Sequence, residues 1–222
     1  MADPAGIWLA IDTATDRAGV ALHDGTFVTA ETQWTSRRRQ TAELGEVIGT
    51  MLERQGMAVG DLAGIAVAGG PGSYTGLRVG FALAKGLALG CGLPLVAVPT
   101  MDILAAPWSA PWSTRGVPLW VVLAAGRGRW VAAVYPPDQA ETPLARVHTL
   151  DLLLAVARPP AWVVGEIDTP ARAALGDAGL TVLPPAAGLR RAGWLAELGR
   201  ARARTGAPDL ADIVPTYIDP AG

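Results

Sequence analysis

Carboxylate, hydroxyl and glycine residues that could do chemistry gather in two short stretches of this chain. The first is Asp12-Thr13-Ala14-Thr15-Asp16, at the end of an apolar run. Open α/β sheets place ligands at such strand ends. There Asp12 could hold a metal or polarise a water, and the hydroxyls of Thr13 and Thr15 could meet phosphate oxygens. The competing reading is a carboxylate that caps a tight turn; no glycine follows Asp12 to let the backbone approach a phosphate. The second stretch is Gly69-Gly70-Pro71-Gly72-Ser73-Tyr74-Thr75-Gly76-Leu77-Arg78. Its glycine density suits an anion cradle, yet no register satisfies G-x-x-x-x-G-K-[ST], whose lysine reaches the outer phosphates of a nucleotide. Two readings stand open: an anion held at a helix N-terminus, or a turn whose glycines set backbone shape while Ser73 or Thr75 caps the helix.

Other chemistry finds little support. His23 and His148 are far apart and neither sits in a zinc-binding H-E-x-x-H. No serine stands in G-x-S-x-G, and no metal site is expected. The single cysteine, Cys91, lies in an apolar segment and reads as buried packing. A net charge of -2 argues against gripping nucleic acid through an overall positive field. Arg37, Arg38 and Arg39 form the one basic run and read as a solvated loop. The apolar stretch from Leu77 to Leu95 carries Arg78 and Lys85 and is broken by Gly86, Gly90, Gly92 and Pro94, so it makes a poor membrane span. A cytoplasmic location is expected.

These residues need elements to position them. Half of the 222 residues are apolar and 17% are charged, a globular composition. A strand ending at Asp12 is followed by two strands around the turn His23-Asp24-Gly25. Leu44, Val47, Ile48, Met51 and Leu52 then place a helix over 41–55, ended by Gly56. A strand around Ile65–Ala68, a helix over 77–89 and a strand in LPLVAVPT (93–100) complete the order βββαβαβ. That order predicts a mixed sheet with helices on it, of the ribonuclease H-like and actin-like kind. The proline-rich segment from Pro107 to Pro118 marks a boundary. Beyond it lie two strands, 118–126 and 129–137, a helix over 150–157, a strand over 161–166 and a helix over 193–204. No internal repeat is visible. The expected division is a first lobe of 1–106 completed by 206–222, and a second of 107–205, with 184–188 linking back.

The helix after the glycine loop is apolar around most of its circumference, and such a helix is buried on most sides. Gly76, Gly80, Ala84 and Ala88 recur every four residues, flanked by Leu77, Phe81 and Leu87. One side must meet the sheet; the other needs a cover. The preceding helix carries Gly45 and Gly49, each costing about 1 kcal/mol relative to alanine, which suggests a closely approaching backbone. Packing between the two helices and docking of another chain remain alternatives.

The stretches LAIDTATDRAGVAL (9–22), AVAGGPGSYTGLRVGFALAKGLALG (66–90) and VPTMDILA (98–105) resemble the TsaB (YeaZ) family of tRNA threonylcarbamoyladenosine biosynthesis proteins. The resemblance covers residues 7–105. It implies two actin/Hsp70-like lobes with a degenerate nucleotide cleft, in which Asp12, Thr13 and Thr15 are vestigial. It also implies a scaffold without catalysis or cofactor of its own. Such a scaffold pairs with TsaD, the subunit that transfers threonylcarbamoyl to N6 of adenosine 37 in tRNAs reading ANN codons. The ATPase TsaE joins them, tRNA is met only indirectly, and self-pairing is an alternative when the partner is missing. The same resemblance puts the partner contact on Gly45, Gly49, Gly76, Leu77, Gly80, Phe81, Ala84 and Leu87, so that Gly80→Arg should break pairing and spare the fold. The chain departs from the family pattern at Gln40-Thr41, where a His-Thr pair is common. It departs again at Ala125-Gly126-Arg127, in place of Asp-Ala-Arg, and at Asp219, in place of arginine. An ATP- and magnesium-dependent transferase or glycoprotease-like enzyme using Asp12 is the alternative function.

Overall fold

Side-chain alternation builds the first sheet. The computed structural model describes residues 6–36, 40–108, 116–137, 142–206 and 208–217, apart from the side chains of 40 and 41. Strands β1 (Ile7–Asp12), β2 (Arg17–His23), β3 (Val28–Thr35), β4 (Leu62–Ala68) and β5 (Leu95–Val98) form a sheet in the order β3-β2-β1-β4-β5. The hairpin strands β1, β2 and β3 pair antiparallel, whereas β1–β4 and β4–β5 are parallel. Strand residues alternate between faces. Leu9 and Ile11 of β1, with Ile65 and Val67 of β4, enter one core beneath α1 (Gln40–Arg54) and α2 (Tyr74–Cys91). Trp8, Ala10, Ala66 and Ala68 enter a second core on the opposite face.

That second face is covered from far along the chain. The compact unit built on the first sheet comprises residues 1–103 and 191–216, and the other comprises 104–190 and 217–222. The expected boundaries at 106/107 and 205/206 are therefore corrected, because the last helix lies on the first sheet. Its small residues are the reason: a Cβ on Gly199 would run into the Cβ of Ala66, and one on Gly193 would meet Val28 at 2.8 Å. The alanine-rich face of the sheet and the glycines of the helix allow a backbone approach that larger side chains would block. The expected linker, 184–188, is instead a 3₁₀ turn, Pro185–Gly188, held within the second unit, where Gly188 abuts the Gly165 carbonyl.

The second unit repeats the plan of the first. After the short helix α3 (Thr100–Ala105) come β6 (Leu119–Ala124), β7 (Arg129–Tyr135), β8 (Arg146–Thr149), α4 (Leu150–Val156), β9 (Trp162–Gly165), α5 (Thr169–Asp177) and β10 (Thr181–Val182); the helix that follows, α6 (Ala192–Ala203), is the one that covers the first sheet. The sheet order β10-β9-β6-β7-β8 again joins three antiparallel strands to two parallel ones. A repeat invisible in the residues is thus present in the topology. Strand β8, helix α5 and strand β10 escaped the sequence reading because they are short or carry few large apolar residues.

Two polar groups in this unit carry testable weight. Glu166 accepts from Arg190 Nη1 at 2.7 Å and from the Ala124 amide at 3.3 Å, and its carbonyl accepts from Trp130 Nε1 at 3.2 Å. Arg190 is buried. Glu166→Gln removes the charge that compensates it and is expected to cost about 2 kcal/mol of stability in urea titrations, as for hydrogen bonds to charged groups. His148 stacks edge-on against Trp120, with ring centroids 6.3 Å apart. Burial, helped by the charge of Arg146, pushes its pKa below the ordinary 6.5. A histidine whose folded pKa is depressed stabilises the fold above its ordinary pKa, and that contribution falls away as pH drops through 6.5 toward the folded value. Melting temperature should accordingly decline over this window in the native chain, and decline less in His148→Gln.

Candidate functional site

The glycine loop is locked onto the end of β1. Asp12, 1% exposed, turns its Oδ1 to the amide of Ala14 at 2.9 Å. Thr13 Oγ1 donates to the Gly76 carbonyl at 2.7 Å, and the Ser73 amide donates to the Ala14 carbonyl at 2.6 Å. Thr15 Oγ1 accepts from the Arg17 amide at 3.3 Å. On the loop's other side, Gly69 donates to the Val98 carbonyl at 2.7 Å and Gly70 to Thr100 Oγ1 at 3.1 Å, while Thr216 donates to the Gly69 carbonyl at 2.7 Å. Ser73 caps α2, its Oγ accepting from the Gly76 amide at 3.3 Å. The amides of Gly69, Gly70, Ser73 and Gly76 are thus engaged within the chain.

Close packing accounts for the glycines. A Cβ on Gly72 would strike the Ala14 carbonyl, one on Gly76 the Thr13 carbonyl and one on Gly80 the hydroxyl of Thr13. Gly70 also has φ of 101°, a region that side chains disfavour, and it abuts the Thr216 carbonyl. Of the two readings left open by the sequence, the turn accounts for these glycines. Pro71, buried and joined to Gly70 by a cis bond, belongs to the same structure.

Helix α2 is two-sided, and the burial corrects part of the expected contact surface. Gly76, Leu77, Gly80, Phe81 and Ala84 are buried, with Ala88, against the chain's own β1 and β4. They cannot meet a second protein. The sequence reading recognised the four-residue stripe but assigned the sheet to the wrong side of it. The outward side carries Arg78, Ala82, Gly86, Leu89 and Gly90, all exposed, and Leu89 keeps 69% of its surface in water. Ala82, Gly86 and Gly90 form a second run of small residues four apart, the signal that would have found this face. Leu87 is half-buried at its border. Helix α1 fits the original expectation better. Gly45 and Gly49 are exposed, and a Cβ on either would meet nothing within 4 Å. Leu44, Ile48 and Leu52 hold its opposite side in the core.

Local contacts fix both helices. Trp34 Nε1 and Ser36 Oγ each donate to Glu43 Oε2 at 2.8 Å, tying the first turn of α1 to β3. At the start of α2, Arg78 Nη1 donates to the Tyr74 hydroxyl at 2.9 Å, and its guanidinium lies 5.2 Å from the ring centroid. Cys91, expected in the core, is exposed at the end of α2. Arg37, Arg38, Arg39 and Asp219, and the side chains of Gln40 and Thr41, lie outside the described residues. No described helix is long and apolar enough to cross a membrane.

Two sheets of one plan, each continuing three antiparallel strands with two parallel ones, define a two-lobed α/β protein of the actin/Hsp70-like, ribonuclease H-like class. The family model described as "TsaD: tRNA N6-adenosine threonylcarbamoyltransferase" matches residues 35–142. The tRNA threonylcarbamoyladenosine biosynthesis protein TsaB of Escherichia coli is 39% identical over 109 residues, covering 48% of this chain and 46% of that protein. TsaB of Bacillus subtilis is 40% identical over 98 residues, covering 44% and 43%. The matched stretch therefore spans under half the length of these relatives. A solved structure of YeaZ from Pseudomonas aeruginosa superposes with a TM-score of 0.72 at 22% identity, over 96% of this chain and 100% of that one. Over the matched half, the chain is similar in sequence to curated TsaB proteins, and its fold is that of YeaZ.

Proposed function

We propose that the chain is an accessory subunit in the biosynthesis of N6-threonylcarbamoyladenosine at position 37 of tRNAs reading ANN codons, pairing with a TsaD-like transferase. The contact is the outward face of α1 and α2, formed by Gly45 and Gly49 on α1 and by Ala82, Gly86 and Leu89 on α2. The observation that carries this reading is Leu89 standing 69% exposed on a run of small residues. Such a face lets a partner helix approach closely and buries a large apolar side chain at the contact, a combination that docks helices with little side-chain ordering.

The chain performs no chemistry and needs no cofactor in this reading. The alternative, an ATP- and magnesium-dependent enzyme, requires Asp12 to face a ligand, whereas its Oδ1 caps the turn at Ala14. A TsaE-like ATPase completes the assembly, tRNA reaches the chain only through the transferase, and the same face supports self-pairing when the partner is missing. Sedimentation velocity separates these states. The chain with its transferase should run as a one-to-one complex, and the chain alone as monomer or dimer; two independent species in the mixture would refute the reading.

A further inference from the structure

A groove on the first unit is separate from the outward face of α2. It is lined on β3 by three consecutive residues, Ala30, Glu31 and Thr32, and on α1 by a wall from Glu46 to Gln55. Successive residues of a strand point to opposite faces, so three in a row line one groove only where it reaches the strand's backbone edge. Among the described residues β3 is the last strand of its sheet, and no described strand pairs with its outer edge. The groove's volume is about 420 Å³, within the usual span of ligand sites.

Its charges are arranged along a line. Glu46, Thr50 and Arg54 stand four apart on α1, all exposed, with Val47 and Met51 as the apolar floor. Neither the Glu46 nor the Arg54 side chain makes a hydrogen bond or ion pair among the described residues. Glu31 is engaged on the other face, by Arg191 and the Gly193 amide. Eight helical residues separate the two free charges by about 12 Å, which about four residues of extended chain span. Helix α1 runs back along β3, since Trp34 meets Glu43 while Ala30 lies beside the later turns. Glu46 therefore lies toward the end of β3 and Arg54 toward its beginning.

We infer that this groove binds an extended peptide segment of a protein partner, added antiparallel to β3. The segment carries a basic residue opposite Glu46, an apolar residue two positions later over Met51, and an acidic residue two positions after that opposite Arg54. Residues at this spacing share one face of a strand, and antiparallel addition is the more stable arrangement at a free edge. The order basic-apolar-acidic follows from the direction of β3 and the placement of the two charges.

The test titrates two synthetic peptides, acetyl-Lys-Thr-Val-Thr-Glu-amide and its charge-swapped counterpart acetyl-Glu-Thr-Val-Thr-Lys-amide, into the isotope-labelled full chain. The first should bind at least tenfold more tightly and shift the amide resonances of residues 28–35. In Glu46→Lys/Arg54→Glu, whose two positions are exposed, the preference should invert. Absence of binding by either peptide at millimolar concentration, shifts confined to other elements, or an unchanged preference in the doubly reversed chain would each overturn the inference.

Discussion

Gly80→Arg is expected to unfold the first unit. A Cβ at Gly80 would strike the hydroxyl of Thr13, which donates to the Gly76 carbonyl and holds the loop to β1. The guanidinium would then be forced into a core built from Val67, Phe81 and Ala84. Overpacking, a broken buried hydrogen bond and the desolvation of a charge together exceed about 4 kcal/mol, much of the total stability of an ordinary domain. Gly45→Arg supplies the contrast, since nothing lies near that position and arginine favours a helix more than glycine does. Urea titration followed by circular dichroism should show a folded Gly45→Arg chain and no cooperative transition for Gly80→Arg. A stable Gly80→Arg chain would mean that α2 presents the opposite face to the sheet.

Leu89→Asp should abolish pairing with the transferase and spare the fold. Burying a leucine contributes about 2 kcal/mol, and enclosing an unpaired carboxylate in an apolar contact adds a further penalty. The expected loss of affinity is about 1,000-fold, or roughly 4 kcal/mol. The side chain is largely in water in the isolated chain, so the melting temperature should hardly change. Isothermal titration against the transferase, with thermal melts of both chains, reads the two quantities independently. Native affinity in Leu89→Asp would move the contact elsewhere.

These two substitutions show where the sequence was legible and where it was not. The strand order βββαβαβ could be read from the hairpin turn at Asp24-Gly25 and from the helical spacing of Leu44, Ile48 and Met51, because local periodicity records which face of an element is apolar. Periodicity cannot say what covers that face. The small-residue run at Gly76, Gly80 and Ala84 therefore looked like a docking surface, when the chain's own Thr13 fills the space. The return of α6 to the first sheet was illegible for the same reason: Gly193 and Gly199 fit Val28 and Ala66, residues more than a hundred positions earlier. Asp12 and Thr13 were correctly located at a strand end, but their hydrogen bonds to Ala14 and Gly76 depend on a fold around them. In the second unit, sheet order preserves a plan that the residues no longer repeat.

The central claim is that this chain supports tRNA modification by docking through α1 and α2, and reconstitution tests it most directly. Threonylcarbamoyl transfer to tRNA is measured with the TsaD-like transferase and the TsaE-like ATPase, adding the native chain, Leu89→Asp, Asp12→Asn or no chain. Transfer should require the native chain, persist with Asp12→Asn as long as that variant remains folded, and fall to the level of omission with Leu89→Asp. Full transfer in the absence of the chain, or undiminished transfer with Leu89→Asp, would contradict the account.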